Sequence, residues 1–205
     1  MKSLSFNGRR ITYQLEGKGF PVVLLHGFCE DSRLWEDFKL DLLEENFRVL
    51  TIDLPGFGSS DSVEAASIGY YAEAVLAVIR ERKFEKVVLI GHSMGGYTAL
   101  AVAALDPGLL AGLGLFHSHP YADSPEKQAS RYKQIQFVEK YGHQLYVKQL
   151  VPKLFPTNYG KSCPFDLDKL IHRAARYEAE GIKGGLLAMA TRPDQGEVLK
   201  VVKCP

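Results

Sequence analysis

Gly91-His92-Ser93-Met94-Gly95 sets a serine between two glycines, directly after the apolar run Val87-Val88-Leu89-Ile90 and directly before an Ala-rich helical pattern that reaches Leu105. Between a buried strand and a helix, such a turn leaves no room for a side chain at Gly91 or Gly95. It holds the serine hydroxyl at the carboxyl edge of a sheet, with the N-terminus of the next helix beneath it. That helix end favours developing negative charge, so the chemistry available is attack by Ser93 on a carbonyl carbon. The competing reading is an ordinary glycine-rich strand–helix turn.

Two further stretches bear on that chemistry. His26-Gly27-Phe28 closes the apolar run Val22–Leu25. An oxyanion hole needs two backbone N–H groups aimed at one point, and the loop after this strand can supply one of them. The two donors are assigned to Phe28 and Met94; His26 and Gly27 shape the turn, with no proton transfer expected of His26. Asp53-Leu54-Pro55-Gly56-Phe57-Gly58-Ser59-Ser60-Asp61 is rich in turn residues. Asp53 would suit a ribose only if a G-x-G-x-x-G turn came before it, and none does. The histidines show no H-E-x-x-H spacing and the cysteines are not paired in sequence, so neither a metal nor a cofactor is expected.

The elements that must position these residues follow from periodicity. A chain of 205 residues with 46% hydrophobic content can bury a core as one domain, which excludes disorder. A net charge of +1 gives no surface for nucleic acid. No apolar window is long enough for a membrane helix, and the first residues lack the apolar core of a signal peptide. Cys29, Cys163 and Cys204 are odd in number and scattered, which fits a reducing, cytoplasmic setting. Leu4–Asn7 and Ile11–Leu15 flank Gly8-Arg9-Arg10 as a hairpin. Strands are expected at Val22–Leu25, Arg48–Asp53, Val87–Ile90 and Leu110–Phe116. Helices are expected from Ser32, from Ile68 to about Arg82 with Ser67 as N-cap, and after Ser93. Strands alternating with helices define an α/β fold with a mostly parallel sheet. From Tyr121 to about Ala190 only helical patterns occur, with starts at Pro125 and Asp166. The expected divisions are a core at 1–117, a helical insertion at 118–193 and a return to the core at 194–205.

His26-Gly27-Phe28, then Asp53–Ser60, then Gly91–Gly96, in this order and spacing, resemble the α/β-hydrolase superfamily, most closely its single-domain branch of small esterases and C–C bond hydrolases. The resemblance implies that Ser93 is the nucleophile, that the Phe28 and Met94 amides hold the oxyanion, and that residues from His117 to about Pro193 form a helical cap that selects substrate. It implies a cofactor-free serine hydrolase acting on a small carboxylic ester through an acyl-enzyme. A C–C bond hydrolase, thioesterase or lyase is the alternative within the fold.

The family's order is serine, then acid, then histidine, the last two following strands beyond the cap. Val201-Val202-Lys203-Cys204-Pro205 corresponds to the approach to the first of those strands, so the acid, the histidine and their strands are expected to be missing from this chain. His117, His119 and Asp123 follow the fourth parallel strand. They are read as lining the cap entrance, with Asp123 as a substitute acid and His119 as a substitute base the less favoured arrangement. A non-catalytic, hydrolase-like binding protein is the rival from another functional class. Without further strands, Leu110–Phe116 becomes an apolar sheet edge, for which a homo-oligomer, strand swapping or poor solubility is expected unless the cap covers it.

Overall fold

The computed structural model describes residues 1–205. β1 (Lys2–Phe6) and β2 (Arg9–Glu16) form the expected hairpin. Its turn is Asn7-Gly8, with φ of 50° and 75°, the mirror-image geometry that matches strand twist. Arg9 and Arg10 therefore belong to β2, and the turn lies one residue earlier than the sequence suggested, because asparagine joins glycine in tolerating positive φ.

β3 (Pro21–Leu25), β4 (Arg48–Ile52), β5 (Val87–His92) and β6 (Leu110–Phe116) run parallel, and β2 pairs antiparallel with β4. The order across the sheet is β1-β2-β4-β3-β5-β6. Alternation along the strands divides the apolar residues between two layers. Val22, Leu24 and Val49 pack with Trp35 on one side, where α1 (Glu36–Glu44) adds Leu42 and Leu43. Val23, Leu25, Leu50, Ile52 and Leu89 enter the larger core on the other side, under α2 (Ile68–Glu81) and α3 (Met94–Leu105). Ser67 caps α2 as expected, accepting from Tyr70 N–H at 3.0 Å.

The helix expected from Ser32 opens instead as a single 3₁₀ turn, Ser32–Trp35, before α1 begins. Ser32 N–H is drawn to Asp53 Oδ1 at 2.9 Å and Arg33 N–H to Asp31 Oδ1 at 3.0 Å, and these bonds tighten the first turn.

Beyond β6 the chain is helical: α4 (Pro125–Tyr141), α5 (His143–Leu150), α6 (Tyr159–Ser162), α7 (Pro164–Ala174), α8 (Ala179–Ala190) and α9 (Val198–Val201). Ser124 caps α4, and Pro125 takes its first position. α7 starts at Pro164, two residues before the expected Asp166, because proline there is already set in helical φ. Val202 and Cys204 pack against the larger core, and Pro205 O accepts from Leu113 N–H at 3.0 Å, covering part of the outer side of β6. Phe116, at the end of that strand, is 55% exposed.

Candidate active site

β3 has β4 on one side and β5 on the other, so the chain changes direction across the sheet at this point. In parallel sheets the carboxyl ends of such strands open a crevice. Here those ends carry His26-Gly27-Phe28 and Gly91–Gly95, and the β3–β5 ladder closes with the pair Leu25–Gly91 just below both.

The elbow is built as the glycine spacing suggested. Ser93 has φ 51° and ψ −113°, a conformation costly for a residue with a Cβ. A methyl group at Gly91 would collide with Gly95 O, and one at Gly95 with the carbonyl of Leu25. Ser93 N–H donates to Phe116 O at 2.9 Å, and Ser93 O accepts from Gly96 N–H at 3.0 Å and from the Ser118 hydroxyl at 2.8 Å. The strained backbone is thus fixed from both β6 and α3, which leaves the Ser93 side chain partly open to solvent. Met94 is buried and is the first residue of α3, so its N–H has no intrahelical acceptor. Phe28 N–H donates to no protein group either.

His26 is fully buried and performs a structural task. Its Nε2 accepts from Leu54 N–H at 2.9 Å, so Nδ1 carries the proton and donates to Gly27 O at 2.7 Å. Both nitrogens are committed to joining the loop after β3 to the loop after β4. Asp53 is equally occupied: it accepts from Ser32 N–H, from Ser59 N–H at 2.9 Å and from the Thr12 hydroxyl at 3.0 Å.

α8 roofs the Phe28 loop. Gly181, Gly184 and Gly185 share one face of the helix. Gly181 lies against the Gly56 backbone, Gly184 against Ala66, and Gly185 against the Phe28 and Phe57 rings, where an added methyl would come within 2.8 Å of Phe28. Phe57 in turn packs edge-on to His26, Phe28 and Tyr177. Asp31 ties this layer down. Its carboxylate accepts from Tyr177 OH at 2.6 Å and pairs with Arg33 at 2.5 Å, with Arg173 at 3.8 Å. Burial alone would raise the Asp31 carboxyl, but the Arg33 and Tyr177 hydrogen bonds outweigh it and hold the pKa down to about 2. Burial and the Asp31 charge together push the Tyr177 hydroxyl up. Cys29, next to Phe28, is buried, and its thiol is raised by burial and by Glu30, which makes it a poor nucleophile.

None of the six histidines is hydrogen-bonded to Ser93. His92 pairs through Nδ1 with Glu30 at 2.9 Å. His117 lies edge-on to Phe116 and His92. His119 Nε2 lies 3.4 Å from Tyr97 OH, and its ring stacks on Tyr121. Burial, then the charge of Arg192, lowers its pKa. His143 meets Ala175 O, and His172 meets Asp168 O within α7. The Asp123 side chain is buried between Arg131 and Arg192, the latter at 2.8 Å. Burial would raise its pKa, and the two guanidiniums lower it. Arg192 also donates to Tyr121 O at 3.0 Å and Met189 O at 2.7 Å, so this ion cluster staples the outgoing and returning chains of the helical segment.

Sequence reasoning did not single out Glu30, Asp31, Tyr177 or the glycine face of α8. The i, i+3, i+4 spacing of Gly181, Gly184 and Gly185 is the one signal that pointed to a close helix approach.

A sequence profile described as the alpha/beta hydrolase fold matches residues 21–141. The chain belongs to that family. It is 33% identical over 125 residues to a 2-succinyl-6-hydroxy-2,4-cyclohexadiene-1-carboxylate synthase from an Enterobacter species, a match covering 60% of this chain and 48% of that protein. It is 39% identical over 108 residues to a dihydrolipoyllysine-residue acetyltransferase component of an acetoin cleaving system from Pseudomonas putida, covering 52% of this chain and 29% of that one. The matches thus span less than half the length of either relative. Among solved structures, a thermophilic esterase from Thermogutta terrifontis superposes with a TM-score of 0.91 at 30% identity, covering all of this chain and 77% of the esterase. No helix is long and apolar enough to cross a membrane.

Proposed function

We propose that this chain carries the nucleophile and oxyanion hole of a serine hydrolase, with Ser93 attacking the carbonyl of a small carboxylic ester. The observation that carries the reading is the strained Ser93 backbone, held between β6 and α3 beside Met94 N–H, which has no intrahelical acceptor, while Phe28 N–H on the loop after β3 donates to no protein group. Strain of this kind persists only where the surroundings enforce it. As the ester carbonyl becomes tetrahedral, its oxygen takes negative charge, which the two amides and the α3 N-terminus stabilise. The acyl-enzyme on Ser93 is then released by water. None of the six histidines is hydrogen-bonded to Ser93 in this structure. The likeness to an esterase supports ester over other acyl substrates. A lyase, thioesterase or C–C bond hydrolase is the alternative within the fold, which also hosts a relative named as a synthase.

The helical residues 118–193 act in this reading as a cap, with α8 as its wall over Phe28, and no nucleic acid, membrane or cofactor takes part. Pro205 covers part of the outer side of β6, and the exposed Phe116 at the strand's end would support pairing of two copies. A second reading, a binding protein without catalysis, is favoured by the absence of a histidine on Ser93. Phosphonylation separates the two. A fluorophosphonate should add once per chain, on Ser93, and Ser93→Ala should abolish the adduct.

A further inference from the structure

The β3–β5 ladder ends at Leu25–Gly91, and past it the two segments that carry Phe28 and Met94 diverge without a backbone hydrogen bond between them. One side chain bridges them. Glu30 Oε2 accepts from Gly27 N–H at 2.8 Å and meets His92 Nδ1 at 2.9 Å. A carboxylate can only accept, so His92 Nδ1 carries the proton and donates it. Gly27 directly precedes Phe28, and His92 stands two residues before Met94, so a single oxygen atom is bonded to both segments that carry the assigned oxyanion donors. The fit is close: a methyl group on Gly27 would come within 2.6 Å of Glu30 Oε2 and 2.7 Å of His92 Nδ1. Only glycine at 27 lets the carboxylate reach both partners.

We infer that Glu30 is a positioning residue that sets the distance between the Phe28 and Met94 amides by bridging Gly27 and His92. The inference rests on the assignment of those amides as oxyanion donors. An oxyanion hole works only when its donors are fixed before charge develops, and an error of about 1 Å in placement can cost a hundredfold in rate. A polar tie at the open end of a diverging strand pair supplies that fixity where the ladder no longer does. Glutamine is the informative substitute, since its amide oxygen can accept both hydrogen bonds.

The test compares wild type, Glu30→Ala and Glu30→Gln by the rate of Ser93 phosphonylation in imidazole buffer and by the amide resonances of Gly27, Phe28, His92 and Met94. Glu30→Ala should slow labelling by about tenfold, the scale of a modest misplacement. Glu30→Gln should restore the rate to within about twofold. A purely structural role would lower the melting temperature of both variants without separating their rates. Wild-type labelling by Glu30→Ala, or Glu30→Gln as slow as Glu30→Ala, overturns the proposal. Should wild type itself fail to label, the nucleophile reading falls, and the resonances decide Glu30 alone. Shifts at both Phe28 and Met94 that return in Glu30→Gln support the bridge; shifts confined to Gly27 and His92 overturn it.

Discussion

Around Ser93 the structure is held chiefly by close backbone contacts, whereas buried carboxylates tie the helical segment to the core and its two ends to each other. In the elbow, Gly91 and Gly95 admit neighbouring carbonyls to within methyl distance, and no ion pair takes part in fixing the Ser93 backbone. Asp31, on the loop after β3, gathers Arg33 together with Tyr177 and Arg173 of the helical segment, and within that segment Asp123 gathers Arg131 and Arg192. The first device depends on shape and the second on charge, so the two should respond differently to substitution and to pH.

The largest effect is expected where shape alone is at work. Gly95→Ala drives a methyl into the Leu25 carbonyl, which no rotamer can relieve, and should destabilise the fold by about 4 kcal/mol or more. Guanidinium denaturation would check this, and a loss under about 1 kcal/mol would show that the elbow can relax. Asp31→Ala should cost about 3 kcal/mol by leaving Arg33 and the Tyr177 hydroxyl without their acceptor. Its pH signature is specific. The Asp31 pKa is lowered from 3.8 to about 2, so its contribution is complete above the unfolded value and disappears as pH falls through the folded one. That contribution is about 2 kcal/mol, lost between roughly pH 4 and pH 2, and Asp31→Asn should remove this part of the acid slope in a melting series.

Gly185→Ala sits between the two regimes, because the methyl meets the Phe28 and Phe57 rings and not backbone. Side chains can shift, so about 1–2 kcal/mol is expected, together with displaced Phe28 ring resonances. The smallest change has the opposite sign. Ser93→Gly relieves a backbone at φ 51° and should stabilise the protein by about 1 kcal/mol while removing its proposed nucleophile. A melting temperature below wild type would mean that the strain assigned to the elbow is not there.

The same contrast explains what was legible in the sequence. The strands, α2 with its Ser67 cap, the strand-free stretch after Phe116 and the glycine-flanked serine depend on local periodicity and steric rules, which the residues state directly. His26 meets the backbone partners that its place at a strand end favours. The anchors were not. Asp31 meets Tyr177 across 146 positions and Asp123 meets Arg192 across 69, and no local pattern marks such pairs. The hairpin turn and the start at Ser32 were misjudged for a related reason. Asn7 had to be recognised as a positive-φ residue, and the 3₁₀ turn depends on Asp53, 21 residues from Ser32.

The central claim is that Ser93 faces a formed oxyanion hole, and its most direct test supplies a base in solution. The folded chain would be treated with a fluorophosphonate in imidazole buffer and, at the same pH, in a buffer that offers no such base, with intact mass as the readout. One adduct per chain, faster with imidazole and absent from Ser93→Ala, is the expected result. A folded chain that takes no adduct in either buffer, or one labelled equally in Ser93→Ala, would contradict it.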